Sequence, residues 1–205
     1  MTLQDELTAF YKKCGFGEVI GARPCTVPVY TGCLLVPMPN IEARQRYLKY
    51  HDLHHLVTGY SVGRIGEGEV SAWELGTRSL FVSPALGAMN LIALSTGLVL
   101  KPKRMWRAVR RGRRSRNLYP AAVRAEVDDG RWPDVEALRR DILEVKSAPA
   151  PRAVDALEFA GYSAVSMLIH FSIAIPAVII RVFTDLTLGY SFFQAIKPAK
   201  RVDLY

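Results

Sequence analysis

An all-α protein, built as a helical bundle, is the fold class that this chain of 205 residues predicts. Apolar residues recur at helical spacing in Leu3, Leu7, Phe10 and Tyr11, and again in Val135, Leu138, Ile142 and Leu143. Two long stretches, Ala85 to Leu100 and Phe159 to Ile180, contain no Asp, Glu, Lys or Arg, as helices apolar on every side do. Gly59 reads as a helix stop, and Ser83-Pro84 as an N-cap followed by proline at the first helical position. The length suits one core-forming domain.

In chain order, the first helix covers residues 3 to 13 and is ended by Gly15 and Gly17. Pro24, Pro28, Pro37 and Pro39 then forbid a long helix, so residues 24 to 39 should form an extended segment over the core. Asn40 is a suitable N-cap for a helix from Ile41 to about Thr58, packed through Ile41, Leu48, Leu56 and Val57. Arg44 and Arg46, one to two turns before the histidines of that helix, read as solvated charges. A turn over Tyr60 to Ile65 brings the chain back into an antiparallel helix starting near Gly66 and carrying Glu67, Val70, Trp73 and Glu74.

The apolar helix after Pro84 is limited to roughly 25 Å, short of the ~30 Å hydrocarbon core, so a place in the bundle is favoured over a span. Its Gly87, Ala88, Ala93, Ser95 and Gly97 allow close packing or leave room for an isoprenoid chain. Pro120 to Val127 and Asp134 to Val145 read as surface helices with solvated charges. Lys146 to Arg152 reads as a linker, dividing a helical domain, residues 1–147, from a C-terminal extension, residues 148–205. Within the extension, Phe159 to Ile180 offers about 33 Å of helix, the best spanning candidate. Pro176 should kink it. His170 should be either a satisfied buried residue or one facing a ligand channel, the first being favoured.

Net charge is +8, and it is concentrated. Lys101 to Arg116 holds nine basic residues and no acid, and the rest of the chain has 18 basic against 19 acidic residues. Lys101, Lys103, Arg104, Trp106, Arg107, Arg110, Arg111, Arg113 and Arg114 form a candidate membrane-surface patch, beside an apolar helix. Nucleic acid is excluded as the expected partner by the absence of a recognised motif and by the apolar flanks. Cys14, Cys25 and Cys33 show no paired spacing, which argues against a disulfide framework and for a reducing compartment. The reducing compartment expected is the cytosol, and the first residues show no basic stretch followed by an apolar run, so no secretory signal is expected.

The densest chemistry is His51-Asp52-Leu53-His54-His55, followed at Glu67 by a second carboxylate. Residues four apart share a helix face, so His51 and His55 can point at one spot, with Asp52 approaching from the side. Glu67 in the first turn of the returning helix completes a candidate set of four ligands for one divalent metal: zinc, iron or manganese. Glu74, seven residues on, faces the same way and can orient a ligand histidine. Arg64, in the turn, is a candidate for contacting a ligand head group.

The run Arg46 to His55, with Gly66-Glu67 and Trp73-Glu74, resembles the Coq-four family of ubiquinone biosynthesis. That family carries His-Asp-x-x-His, eleven residues, then Glu, a spacing kept here without a gap. A weaker match runs through Arg110-Arg111-Gly112-Arg113 and Leu138-Arg139, and the resemblance covers roughly residues 37 to 146. It implies an all-helical, membrane-associated protein with an apolar cleft for a prenylated ring lipid or polyprenyl chain. The implied activity is a metal-dependent replacement of the carboxyl on the first ring carbon by hydroxyl, an oxidative decarboxylation. The implied partners are other quinone-biosynthesis proteins, and a homodimer remains open. The alternative is a non-catalytic, metal-containing, lipid-binding scaffold. Either form would sit at the cytoplasmic face of a membrane, peripheral or anchored by the C-terminal helix.

Overall fold

In the computed structural model, residues 1–14, 25–31, 34–145 and 153–188 are described. Eight α-helices and one hairpin make up the described fold: α1 (Leu3–Lys13), β1 (Thr26–Thr31), β2 (Leu34–Pro39), α2 (Glu42–Thr58), α3 (Arg64–Gly76), α4 (Pro84–Leu100), α5 (Pro102–Arg113), α6 (Ala121–Asp128), α7 (Val135–Ile142) and α8 (Ala153–Leu188). The linker read at Lys146 to Arg152, Cys33, and the basic tail at Lys197, Lys200 and Arg201 lie outside the described residues.

Local sequence accounts for most helix ends. Thr2 and Asp5 form a reciprocal capping box on α1. Gly59 adopts φ 76°, the left-handed conformation that stops α2, and its N–H donates to the His55 carbonyl. Ser83 caps α4 with Pro84 at its first position, and Asp134 caps α7. Asn40 does not cap α2: Ile41 takes that position without a side-chain bond, and the Asn40 side chain accepts from Arg44 instead.

The proline-rich segment is extended, but its two halves pair with each other as an antiparallel hairpin, Thr26 opposite Pro39 and Thr31 opposite Leu34. Pairing satisfies backbone groups that a lone extended strand would leave open. Thr31 then joins the hairpin to the helices, its hydroxyl lying 3.3 Å from Ser95 Oγ on α4 and 3.0 Å from His170 Nδ1 on α8. His170 is thus a half-buried residue with a partner.

Two apolar cores lie on either side of a polar seam. One gathers Leu3 and Leu7 of α1, Tyr47, Leu53 and Val57 of α2, and Leu138 and Ile142 of α7. The other joins Trp73 and Leu75 of α3, Leu94 of α4, Met105 and Val109 of α5, and Tyr162 of α8. Glycines set the spacing in the second. A methyl on Gly112 would stand 2.0 Å from the Trp73 carbonyl oxygen, and one on Gly68 would stand 3.0 Å from Gly97 Cα. The backbones of α3, α4 and α5 therefore touch at these crossings.

α8 runs unbroken through Pro176, with one side against the bundle: Ser166 Oγ donates to the Leu91 carbonyl at 2.7 Å. The helix is long and apolar enough to cross a membrane.

The crossing at Gly112 gives a direct test of the packing. Gly112→Ala should lower stability by about 1–3 kcal/mol, because the Trp73 carbonyl is backbone and cannot swing aside. Urea denaturation of the variant measures it, and an unchanged midpoint would contradict so close a crossing.

Candidate metal centre

The seam between α2 and α3 holds the histidine cluster. Glu67 lies in the first turn of α3, facing the middle of α2. One donor atom each from His51, His55 and Glu67 lies within 4.8 Å of the other two. His51 Nε2 is 3.3 Å from Glu67 Oε2, and His55 Nε2 is 3.7 Å from Glu67 Oε1. Ligands ~2.0–2.2 Å from a tetrahedral metal stand roughly 3.3–3.6 Å apart, so these separations fit one ion.

Hydrogen bonds settle which nitrogen of each ring faces the site. His55 Nδ1 is 3.0 Å from the Tyr60 carbonyl, which can only accept, so Nδ1 carries the proton. Its Nε2 is left with a bare lone pair, buried and without a hydrogen-bond partner. A buried acceptor with no donor is costly, and a cation would satisfy it. His51 Nδ1 donates to Glu74 Oε1 at 2.9 Å, which turns Nε2 toward Glu67. Both rings are thus held by their far nitrogens, as metal-binding imidazoles are.

His54, between them, has a different role. Its Nδ1 donates to Glu74 Oε1 at 2.8 Å, and its Nε2 accepts from the Leu118 N–H at 3.0 Å. Both nitrogens are occupied, and burial lowers its proton affinity against the pull of Glu74. The Tyr119 hydroxyl adds a third donor to Glu74 Oε1 at 2.6 Å. Burial and the neighbouring Glu74 push that hydroxyl well above its ordinary range.

Asp52 is the one residue of the expected four that does not join the group. It is buried on the α1 side of α2, where its carboxylate pairs with the Tyr11 hydroxyl. Burial raises its pKa despite the neighbouring histidines. Adjacent positions on a helix point about 100° apart, so Asp52 and His51 diverge.

The centre is open on one side. The His51 and Glu67 side chains keep 20% and 34% of their surface accessible, against 1% for His55. The Phe10 ring stacks at 6.3 Å on His55. Three donors with one accessible side match the pattern of sites that leave a coordination position for substrate or water.

Arg64 does not point its guanidinium at a free ligand position. It lies over the Tyr30 ring at 5.4 Å. The basic run is also largely committed within the fold. Arg104 makes a two-pronged pair with Glu69, Arg111 and Arg114 both reach Glu144, and Arg113 pairs with Asp155 and Glu158 of α8. Trp106 packs its ring on Phe159 at 5.3 Å. Lys101, Lys103 and Arg107 stand exposed. Partners 30 to 45 residues away captured charges that the sequence alone presents as one free patch.

Two arginines read as surface charges support the metal helix instead. Arg139 donates to the Leu56 and Val57 carbonyls, and Arg111 to the Thr58 carbonyl. The last turn of α2 is therefore capped by guanidinium groups, just past His55. Both residues fall in the short downstream runs that carry the weaker family resemblance, which was the available signal for them.

Comparison with protein-family models, with curated proteins and with solved structures finds no match for the chain.

His55→Ala should abolish stoichiometric metal binding while leaving helical content intact, as read by elemental analysis and circular dichroism. Undiminished metal content would remove His55 from the site. Glu74→Gln should weaken metal affinity about 10- to 100-fold, measured by chelator competition, since it loosens His51 without touching a donor atom.

A pH effect follows from Glu74. Burial alone would raise its carboxyl, but the His51 charge and the hydrogen bonds from His51 and His54 hold it well below 4.5. A depressed carboxyl contributes stability that is complete above the unfolded value and lost as pH falls through the folded one. Between about pH 5 and pH 3, Glu74→Gln should therefore lose less stability than the parent, as urea midpoints will show.

Proposed function

We propose that the chain is a membrane-associated protein of ubiquinone-biosynthesis type that binds one divalent metal and acts on a prenylated aromatic acid. The reaction would replace the carboxyl on the first ring carbon by hydroxyl and release carbon dioxide, one atom of dioxygen entering the ring and the other leaving as water at the expense of an external two-electron donor such as a reduced nicotinamide. The observation that carries this reading is the buried, partnerless lone pair of His55 Nε2, beside His51 Nε2 and Glu67 at metal-ligand spacing. The spacing His-Asp-x-x-His, eleven residues, Glu supports the reaction class through its resemblance to the Coq-four family.

The residues that would hold the metal are His51, His55 and Glu67. When bound, it would supply Lewis acidity toward the ring carboxylate and, if iron, a route to dioxygen. Tyr60 keeps His55 in the tautomer that leaves Nε2 available, and Glu74 holds the His51 ring so that Nε2 faces Glu67, where a metal would displace its proton. The accessible side, at His51 and Glu67, is where a ring acid would enter. Exclusion of water on the other side falls to Phe10 and the α1–α2 core.

A continuous set of contacts links this centre to the apolar C-terminal helix. Gly68, next to Glu67, touches Gly97 of α4, and Ser95 of that helix reaches His170 of α8 through Thr31. A ring at the metal and a prenyl tail among apolar helices suit that arrangement.

The test is single-turnover chemistry. Protein loaded separately with zinc, iron or manganese is incubated in air with a prenylated hydroxybenzoate-type acid and a two-electron reductant, and products are read by mass spectrometry. Conversion by the parent and none by His55→Ala is expected. Tight retention of unchanged acid with all three metals would instead assign the scaffold role.

A further inference from the structure

The outward side of α8 is apolar along its length apart from Ser172, whose hydroxyl donates to the Leu168 carbonyl. Leu157, Leu168, Phe171, Ile175, Val182 and Leu186 are all more than half exposed. At about 100° per residue, the exposed large apolar positions from Val154 to Leu186, Ile180 apart, fall within roughly 140° of the helix circumference. Asp155, Glu158, Arg181 and Asp185 all occupy positions outside that arc. Tyr162, Ser166, His170, Ala174 and Ala177 occupy the opposite side, against the hairpin and the helices.

The length of the stripe decides its orientation. From Val154 to Leu186 the helix rises ~48 Å, well beyond the ~30 Å hydrocarbon core of a bilayer. A perpendicular span over residues 159 to 180 would also drag into lipid the polar contacts that fasten the middle of α8 to the bundle, Ser166 with the Leu91 carbonyl and His170 with Thr31, at a large desolvation cost. A helix lying in the plane of the membrane has neither problem.

Charge selects lipid over a second copy of the chain. Trp106, whose ring packs on Phe159, stands next to the exposed Arg107 and one turn from the exposed Lys103 on α5. These cations lie on the helix that packs against α8, and no acidic residue lies on the outward stripe to meet them across a dimer. Anionic head groups next to an apolar interior supply both complements.

We propose that α8 is an interfacial helix, lying along one leaflet of an anionic bilayer with its apolar stripe in the acyl region. The bundle then rests on the water side, and Lys103 and Arg107 contact lipid phosphates. This deepens the membrane placement in the function proposed above and does not depend on the metal.

Nitroxide labels test it in the full-length chain, with Cys14, Cys25 and Cys33 replaced by serine. Leu157, Leu168, Ile179 and Leu186 are each changed to cysteine, labelled, and bound to vesicles of phosphatidylcholine and phosphatidylglycerol. All four labels should report similar shallow depths, ~5–10 Å below the phosphates. Depths graded steadily from Leu157 to Leu186 would overturn the proposal in favour of a spanning helix. Water-exposed labels on a dimer would overturn it in favour of a second copy.

Leu168→Asp with Phe171→Asp should reduce vesicle flotation at least tenfold with metal content unchanged. Lys103→Glu with Arg107→Glu should reduce binding to anionic vesicles specifically. Undiminished flotation in both pairs sinks the surface assignment. A failure of the metal reading would leave all these results as they are.

Discussion

Three hydrogen bonds converge on one oxygen, Glu74 Oε1, and the site depends on them. His51, His54 and Tyr119 all donate to it, from α2 and from the segment after α5. A fully buried carboxylate is tolerated only when donors surround it, so removing one donor disturbs the other two. The same convergence ties α2, α3 and the Leu118–Tyr119 segment to one point, because His54 also takes the Leu118 N–H. Fold and site are therefore not separate achievements here: the group that orients a ligand histidine also locks the helices that carry the ligands.

The apolar cores and the capping arginines serve that point from outside. Touching backbones at Gly68–Gly97 and Gly112–Trp73 fix α3 against α4 and α5, so Glu67 cannot drift along the seam. At the other end of α2, guanidinium groups from Arg111 and Arg139 satisfy carbonyls that a helix end otherwise leaves open. His55 stands one residue before the first of those carbonyls. Its Nδ1 is meanwhile committed to Tyr60, on the far side of the Gly59 turn. A left-handed glycine thus has a chemical consequence, since it places the carbonyl that decides which nitrogen of His55 is free.

The basic run shows how the fold redistributes charge. Arg104, Arg111, Arg113 and Arg114 are tied to carboxylates on α3, on the segment after α7 and on α8. Exposed cations remain on α5, the helix that packs against α8. Membrane affinity, on this view, rests less on total charge than on a few cations placed next to a long greasy surface, each element weak alone.

Much of this protein is written locally. Helix limits at Thr2, Gly59, Ser83-Pro84 and Asp134 follow from side-chain chemistry within a few residues, and His51 and His55 share a face because four residues make about one turn. Glu67 is legible too, since a short turn after Gly59 returns the chain antiparallel. Local spacing could not decide that Asp52 would turn toward Tyr11, that His54 would have both nitrogens taken, or that the proline-rich segment would pair with itself. Nor could it separate committed arginines from exposed ones. Those outcomes depend on partners tens of residues away, and a donor chooses among acceptors only once packing has brought them within 3 Å of each other.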